Sequence, residues 1–206
     1  MGRTRKPQQS RSQRTVDAIV SAGFIEAARG GMEGVTTRRI ADTAGVGVGS
    51  VYEYFENKEA IVTAMNQRMV DELVGRLRPQ IPTLVTLELR SLVVRLLAEL
   101  RAFLQADGGR YASYLASQNP RELRSTHARI NKLLRDLAGQ YIIHHPEYAA
   151  VPQLHVISYI AIHGGVAVVS QHLGENPPIV PFDDLVDGLA DMVERMATGP
   201  HRDRRT

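Results

Sequence analysis

Cysteine is absent from this 206-residue chain. The absence excludes disulfides, thiol nucleophiles and cysteine-bound zinc, and it is compatible with a reducing cytoplasm, the compartment we expect. Long apolar runs are missing too: no stretch of about 18 uncharged apolar residues predicts a membrane span, so no membrane partner is expected. The basic start of the chain is not followed by an apolar segment, and it therefore does not have the pattern of a secretory signal.

A large charge imbalance is also lacking, because the formal net charge is only +3. Its distribution is uneven: residues 1–78 carry 12 Lys and Arg against 9 Asp and Glu, and residues 79–206 carry 13 against 13. Five of the basic residues precede the first acid, Asp17. Such a basic arm indicates either a polyanionic partner or a solvated tail, and charge alone does not separate the two.

Helical periodicity dominates from about residue 12 to residue 197, and no segment alternates with the period of a strand. We therefore predict an all-α chain of about nine helices. Four precede Pro79 and Pro82, the first of them ending at Gly30-Gly31 and the fourth capped by Asn57. The other five are predicted over 83–106, 110–118, 121–144, 151–173 and 182–197, separated by glycine- and proline-containing loops.

These elements predict two domains. The predicted segments are a basic disordered arm at 1–11, a first helical domain at 12–72 with a pair of short helices at about 35–54, a larger helical domain at 79–198, and a polar disordered tail at 199–206.

The segment from Val35 to Lys58 carries the most informative motif. Two short helices flank a turn at Ala44-Gly45-Val46, which is the order of a helix-turn-helix. The side chains of these helices form two sets. One set is apolar and spaced to face a small core: Ile40, Ala41, Ala44, Val46, Val51 and Phe55. The second set points outward: Val48, Gly49, Ser50, Tyr52 and Tyr54. Small, hydroxyl and tyrosyl groups on an exposed helix suit the major groove of double-stranded DNA.

This segment resembles the TetR family of transcriptional regulators. The resemblance rests on Thr-x-x-x-Ile-Ala-x-x-Ala-Gly-Val, then Gly-Ser-Val-Tyr-x-Tyr-Phe, then Asn-Lys-Glu-Ala, within residues 12–70. It implies that Thr37 donates to a phosphate, that Arg38 reaches a base edge, and that Val48, Gly49 and Ser50 begin the recognition helix. It further implies that Tyr52 and Tyr54 contact phosphates and sugar, and that Lys58 contacts a phosphate.

Two positions depart from the family pattern. Many members carry Ser or Thr at the position of Gly47 and Glu at the position of Arg39. Gly47 weakens the cap of the recognition helix only slightly, since glycine is itself an acceptable cap. Arg39 removes a capping box and adds a cation that could face DNA.

The second domain carries no acidic pair, nucleophile elbow or His-Glu-x-x-His signature. We therefore predict no enzyme activity, no catalytic residue, no metal site and no cofactor. His155, Tyr159 and His163 recur at four-residue spacing, which indicates either a polar stripe inside the bundle or a ligand-facing stripe. A rival hypothesis for the whole chain is a helical small-molecule-binding or enzymatic protein in which the N-terminal domain is only a scaffold.

By family resemblance, the second domain encloses a small-molecule pocket between helices 5, 7 and 8 and forms a homodimer through its last two long helices. The pocket candidates are Leu96, Leu100, Phe103, Tyr111, Tyr114, Gln118, Ile130, Leu134, His155, Tyr159 and His163. The interface candidates are Gly164, Gly165, Val168, Leu185, Leu189, Met192 and Val193. A mostly apolar pocket suits a moderately lipophilic effector. A two-fold dimer implies an inverted-repeat operator, from which the effector would release a repressor.

Overall fold

The computed structural model describes residues 6–118 and 124–199, and every regular element within these ranges is helical. The nine α-helices are α1 Lys6–Gly34, α2 Thr37–Ala44, α3 Val48–Tyr54, α4 Lys58–Leu77, α5 Ile81–Leu84, α6 Leu89–Ala116, α7 Arg124–His144, α8 Leu154–Leu173 and α9 Phe182–Thr198. Two short 3-10 helices occur at Arg78–Gln80 and Pro146–Ala150. The prediction of an all-α chain with about nine helices is confirmed.

The nine helices are not the same nine that the periodicity predicts. Helix α5 is a single turn that the periodicity did not predict. It can form because Pro82 lies in its first turn, where the backbone N–H that proline lacks would have no helical partner. Helix α6 joins two segments that were predicted to be separate helices. Gly108 and Gly109 adopt positive φ of 70° and 75° within it. The expected break between two helices is therefore present only as a local departure from helical geometry at these two glycines.

The chain divides into two compact units. The first contains Met1–Met69 and Leu104–Gln118, and the second contains Val70–Phe103 and Asn119–Thr206. This division differs from the predicted domains, 12–72 and 79–198, in giving the second half of α6 to the first unit. Both α4 and α6 contribute residues to each unit.

Aromatic packing explains why the end of α6 belongs to the first unit. The Phe24 ring on α1 meets the Tyr111 and Tyr114 rings edge to face, with centroids 4.9 and 5.0 Å apart. The Tyr114 hydroxyl donates to Asn66 Oδ1 on α4 at 2.8 Å. Gln118 donates to the sulfur of Met32. Edge-to-face rings and a satisfied buried hydroxyl favour one specific arrangement of these three helices.

Helix α1 begins within the predicted N-terminal arm, and helix α9 ends where the predicted tail begins. Residues 1–5 of the predicted arm and 200–206 of the predicted tail lie outside the described residues. Residues 6–11 are the first turns of α1 rather than part of a disordered arm. Pro7 is acceptable in a first turn, and the glutamines and arginines that follow are good helix formers. Gly199 ends α9 by donating its N–H to the Arg195 carbonyl at 2.8 Å.

In the second unit, arginines on α6 bind acidic residues on α9. Arg90 donates to Asp191 at 2.8 Å and to Asp187 at 2.7 Å. Arg101 pairs with Asp183, and its guanidinium lies 4.6 Å above the centre of the Phe182 ring. Polar pairing thus fixes one side of α9, which leaves its apolar side for other contacts.

Candidate nucleic-acid interface

Helices α2 and α3 form the helix-turn-helix that the sequence predicts. Thr36 caps α2, because its hydroxyl oxygen accepts from the Arg39 backbone N–H at 3.3 Å. Gly45 ends α2 at a φ of +68°, a left-handed conformation that glycine adopts without a side-chain clash. Ile40, Ala41 and Val51 are fully buried beneath the turn. These contacts set the position of α3 on the first unit.

The outward face of α3 is exposed as predicted. Val48, Gly49, Tyr52 and Tyr54 are exposed, with Tyr52 at 54%, and Ser50 is half-buried. The Tyr52 and Thr37 hydroxyl oxygens lie 3.3 Å apart, within hydrogen-bond distance. The neighbouring Arg38 side chain is exposed. The Thr37 and Tyr52 hydroxyls therefore lie close together, and Arg38 and Val48 are exposed on the same two helices.

Lys58 already has a partner inside the first unit. Its ammonium donates to the Met32 carbonyl at 2.8 Å, just beyond the break in α1 at Gly30 and Gly31. Asn57 caps α4 by accepting from the Ala60 N–H at 2.8 Å, which confirms that expectation. The lysine is half-buried, so the predicted phosphate contact would use the remaining N–H groups of the same ammonium.

A buried carboxylate that was not predicted lies between α1 and α2. Glu26 is 2% exposed, and its Oε1 accepts from Thr43 Oγ1 at 2.7 Å and Arg29 Nη1 at 2.9 Å. Its Oε2 pairs with Arg39 Nε at 2.8 Å. The Thr43 hydrogen bond, assisted by the two arginines, keeps the pKa of Glu26 below its ordinary value despite burial. Arg39 thus binds Glu26, whereas the sequence left open that it faces DNA.

One sequence signal could have identified Glu26. It follows Ile19 by seven residues and Ala22 by four, a spacing that places a charged residue on the apolar stripe of α1. A carboxylate on such a stripe requires buried hydrogen-bonding partners. The sequence does not show which residues supply them.

The predicted pocket residues are divided between the two units. Tyr111, Tyr114 and Gln118 are buried in the first unit, against the helices of the predicted DNA-binding domain. The rest lie in the second unit: Leu96, Leu100, Phe103, Ile130, Leu134, His155, Tyr159 and His163.

The histidine and tyrosine stripe on α8 is on the outside of the second unit. Tyr159 is 64% exposed, and its ring stacks on His163 with centroids 4.1 Å apart. His155 is also exposed. Within a single chain, His163 is half-buried, whereas His155 and Tyr159 are exposed to solvent.

Most of the predicted interface residues line one apolar groove between α8 and α9. The groove has a volume of roughly 430 Å³. Its lining includes five interface candidates: Gly164, Val168, Leu185, Leu189 and Met192. Gly165 and Val193, the other two candidates, are half-buried on the same helices. Ile160, Val180, Gly188 and the acidic Asp184 complete its lining.

Helix α8 is apolar and little buried within the chain. It is long enough to cross a membrane, with a mean hydropathy of 1.3 over an 18-residue window of which 6% is buried. The sequence alone predicted no such helix. One helix of this kind is weak evidence for a membrane, because an interface helix has the same composition. No group of three or more metal-binding side chains occurs within residues 6–118 and 124–199.

Comparison with known proteins finds a family match within the first unit. The family model for bacterial regulatory proteins of the tetR family matches residues 19–65. The HTH-type transcriptional repressor KstR2 of Rhodococcus jostii (strain RHA1) is 35% identical over 68 residues, which are 33% of this chain and 33% of that protein. The chain thus matches about a third of the length of this relative.

Solved structures share the fold over most of the chain. The fatty acid degradation regulator FadR from Bacillus halodurans has a TM-score of 0.62 at 18% identity, over 90% of this chain and 99% of that one. FadR from Bacillus subtilis, solved in complex with stearoyl-CoA, has a TM-score of 0.59 at 18% identity, over 92% and 99%. At this identity the likeness establishes the fold alone. Within residues 19–65, which include its helix-turn-helix, this chain is similar to the tetR family of bacterial regulatory proteins.

Proposed function

We propose that the chain is a sequence-specific DNA-binding transcriptional regulator, a repressor that a small molecule releases from its operator. The observation that carries the proposal is the exposed face of α3, where the Tyr52 hydroxyl lies 3.3 Å from the Thr37 hydroxyl of α2, the residue before the exposed Arg38. Hydroxyl and guanidinium groups are donors for phosphates and base edges. The exposed Val48 methyls suit a thymine methyl in the same groove.

A gel-shift assay with the DNA upstream of its own gene tests this proposal. We expect a complex with that DNA that a scrambled duplex of equal length competes for poorly. Equal competition by both duplexes would contradict sequence-specific binding. Absence of any complex would favour the rival hypothesis of a scaffold domain on a small-molecule-binding protein. We propose no enzyme activity, no membrane partner and a cytoplasmic location.

The proposed active form is a homodimer in which a second copy covers the α8–α9 groove. Val168 is 46% exposed and Met192 39% exposed, and both line the groove. Ile160 and Tyr159 extend the same apolar surface along α8. An exposed apolar patch of this kind marks an association surface. A two-fold dimer would place its recognition helices about 34 Å apart, one turn of an inverted-repeat operator.

Light scattering of a double variant tests the dimer. Val168→Glu with Met192→Glu would bury two carboxylates in the apolar contact, each at a cost of several kcal/mol, and should give monomers. These positions are better chosen than Leu189, which is buried within its own chain. The control is Ile143→Glu, an exposed isoleucine on α7. A double variant that stays dimeric would locate the interface elsewhere.

The proposed effector is moderately lipophilic and binds within the second unit. Five of the eight candidate lining residues there are apolar: Leu96, Leu100, Phe103, Ile130 and Leu134. Two buried polar atoms, Asn131 Oδ1 and His172 Nδ1, have no hydrogen-bond partner among the described residues. A ligand with a polar group could satisfy such an atom. The stearoyl-CoA bound to the similar B. subtilis FadR makes acyl-CoA thioesters the first class to screen.

Thermal-shift screening, followed by calorimetry, tests the effector. A ligand that binds only the folded chain raises its apparent stability. If helices α4 and α6, which contribute to both units, transmit the signal, operator and ligand should weaken each other by the same factor, about 1–3 kcal/mol of coupling. Equal ligand affinity with and without saturating operator would contradict release by that ligand.

A further inference from the structure

We infer that Glu26 is a specificity-determining residue, because it binds the Arg39 guanidinium and so withholds one cation of α2 from DNA of any sequence. The inference rests on the proposed DNA binding. It concerns discrimination between operator and other DNA rather than the contacts to the operator itself.

An ion pair with Glu26 holds the Arg39 guanidinium against the protein. Arg39 Nε donates to Glu26 Oε2 at 2.8 Å, while Thr43 and Arg29 occupy Oε1. The carboxylate is 2% exposed, whereas the Arg39 side chain is 49% exposed. The arginine is thus accessible to solvent, but its charge is compensated by an acid that solvent does not reach.

Two glycines leave the space that the Arg39 guanidinium occupies. A Cβ added at Gly34 would lie 3.3 Å from Arg39 Nη1, and one added at Gly30 would lie 3.7 Å from the same atom. The first distance is closer than ordinary van der Waals contact. A side chain at residue 34 would therefore press on the guanidinium, and glycine lets it lie against the end of α1.

Arg38, the preceding residue of α2, has the opposite environment. Its side chain is exposed and has no hydrogen bond or ion pair within the described part of the chain. Two adjacent arginines in the first turn of α2 therefore differ in whether their guanidinium groups are free to contact DNA. Arg38 can turn to DNA without losing a partner, whereas Arg39 could do so only by breaking its ion pair with Oε2 of the buried Glu26 carboxylate.

This difference matters for specificity because phosphate contacts are independent of base sequence. A cation that reaches a phosphate strengthens binding to operator and to all other DNA alike. Other DNA is in large excess in a cell, so added non-specific affinity removes regulator from its operator. A cation retained by the protein keeps that competing affinity lower.

The primary test is the salt dependence of binding to a scrambled duplex by the Glu26→Gln variant. Glutamine keeps the shape of the side chain but removes the charge that retains Arg39. We expect tighter binding to the scrambled duplex and a steeper slope of log K against log salt, by about 0.9 for one added phosphate contact. The matched control is Glu33→Gln, which removes an exposed acid from the same segment and should leave the slope unchanged.

The second variant is Glu26→Gln with Arg39→Gln, which removes the pair without changing net charge. We expect the wild-type slope, since Arg39 contributes no contact in the native chain. Circular dichroism verifies that each variant is folded. If the single variant does not fold, the double variant still decides: a slope shallower than wild type by about 0.9 overturns the inference.

The outcomes separate this inference from the proposed function. A wild-type chain that binds no duplex contradicts the proposed function, and the inference is overturned with it. If the wild type binds DNA but Glu26→Gln changes the slope no more than Glu33→Gln does, only the inference is overturned. A steeper slope in Glu26→Gln that returns to wild type in the double variant supports it.

Discussion

The two units of this chain differ in which side chains they bury and which they expose. In the first unit a buried carboxylate has three hydrogen-bonding partners, and the rings of Phe24, Tyr111 and Tyr114 are enclosed. Its exposed face on α2 and α3 carries hydroxyls and a cation. In the second unit, α8 exposes apolar and aromatic side chains along much of its length.

The difference shows what each surface can bind. A polar, partly cationic face suits a hydrated polyanion, because phosphates remain solvated beside hydroxyls and guanidinium groups. An apolar helix beside an apolar groove suits another protein surface, because burying it removes apolar area from water. The comparison therefore predicts different responses of the two surfaces to mutation, salt and pH.

The largest expected effect tests whether the enclosed rings organise the first unit. Phe24→Ala should lower the free energy of unfolding by about 3–5 kcal/mol, because it leaves a cavity between the Tyr111 and Tyr114 rings. The measurement is urea denaturation followed by circular dichroism. Ile143→Ala, on the exposed side of α7, should change stability by about 0.5 kcal/mol or less. Similar losses for the two variants would show that the end of α6 is not part of this core.

Substitution of Arg38 or of Lys58 should weaken DNA binding in different ways. Arg38→Ala should cost about 1–3 kcal/mol on the operator and relax preference at one base pair. Lys58→Ala should weaken all sequences alike and reduce the salt slope by about one. It should also lower stability, because the Met32 carbonyl loses its donor. Fluorescence anisotropy at matched salt measures both. Wild-type binding by both variants would contradict the predicted contacts.

DNA binding and dimerisation should differ in their dependence on salt. Raising it from about 50 to 200 mM should weaken DNA binding by about tenfold or more, because displaced counterions drive phosphate contacts. The same change should leave the dimer intact, since an apolar contact is not screened. Anisotropy with labelled operator and analytical ultracentrifugation measure the two equilibria. Dissociation of the dimer over this range would show an interface held mainly by charges.

The smallest effect concerns the pH dependence of stability in the first unit. The pKa of Glu26 is lowered from 4.5, chiefly by the Thr43 hydrogen bond, so its stabilising contribution is present above pH 4.5. It is lost as pH falls through the lowered pKa. The urea midpoint of the wild type should therefore fall more steeply below pH 4.5 than that of Glu26→Gln. Parallel curves would mean that the carboxylate is not stabilised on folding.

Much of the first unit was predictable because its signals are local. The glycine that ends α2, the Asn57 cap and the alternation of core and exposed positions in α3 all depend on neighbouring residues. The predicted break at Gly30-Gly31 occurs inside α1, where Gly31 has a φ of +63°. The roles predicted for the DNA-contacting side chains remain predictions, although their exposure agrees with them.

The second half of α6 shows where local signals fail. Asp107-Gly108-Gly109 correctly indicated a change of backbone conformation, but not which unit the following residues join. Tyr111 and Tyr114 were predicted to line a pocket because both are aromatic and amphipathic. In the structure they pack against Phe24 and Asn66, residues far away in the sequence. Composition cannot distinguish a pocket wall from a core.

The sequence by itself determined the helical class, the helix-turn-helix and the outward face of α3, because these depend on spacing and on caps within a few residues. Only the tertiary structure decided that Arg39 pairs with Glu26, that the end of α6 joins the first unit and that the α8 stripe is exposed. Each of these depends on which side chains meet across helices distant in sequence. Side-chain packing and the need to satisfy a buried charge determine those meetings.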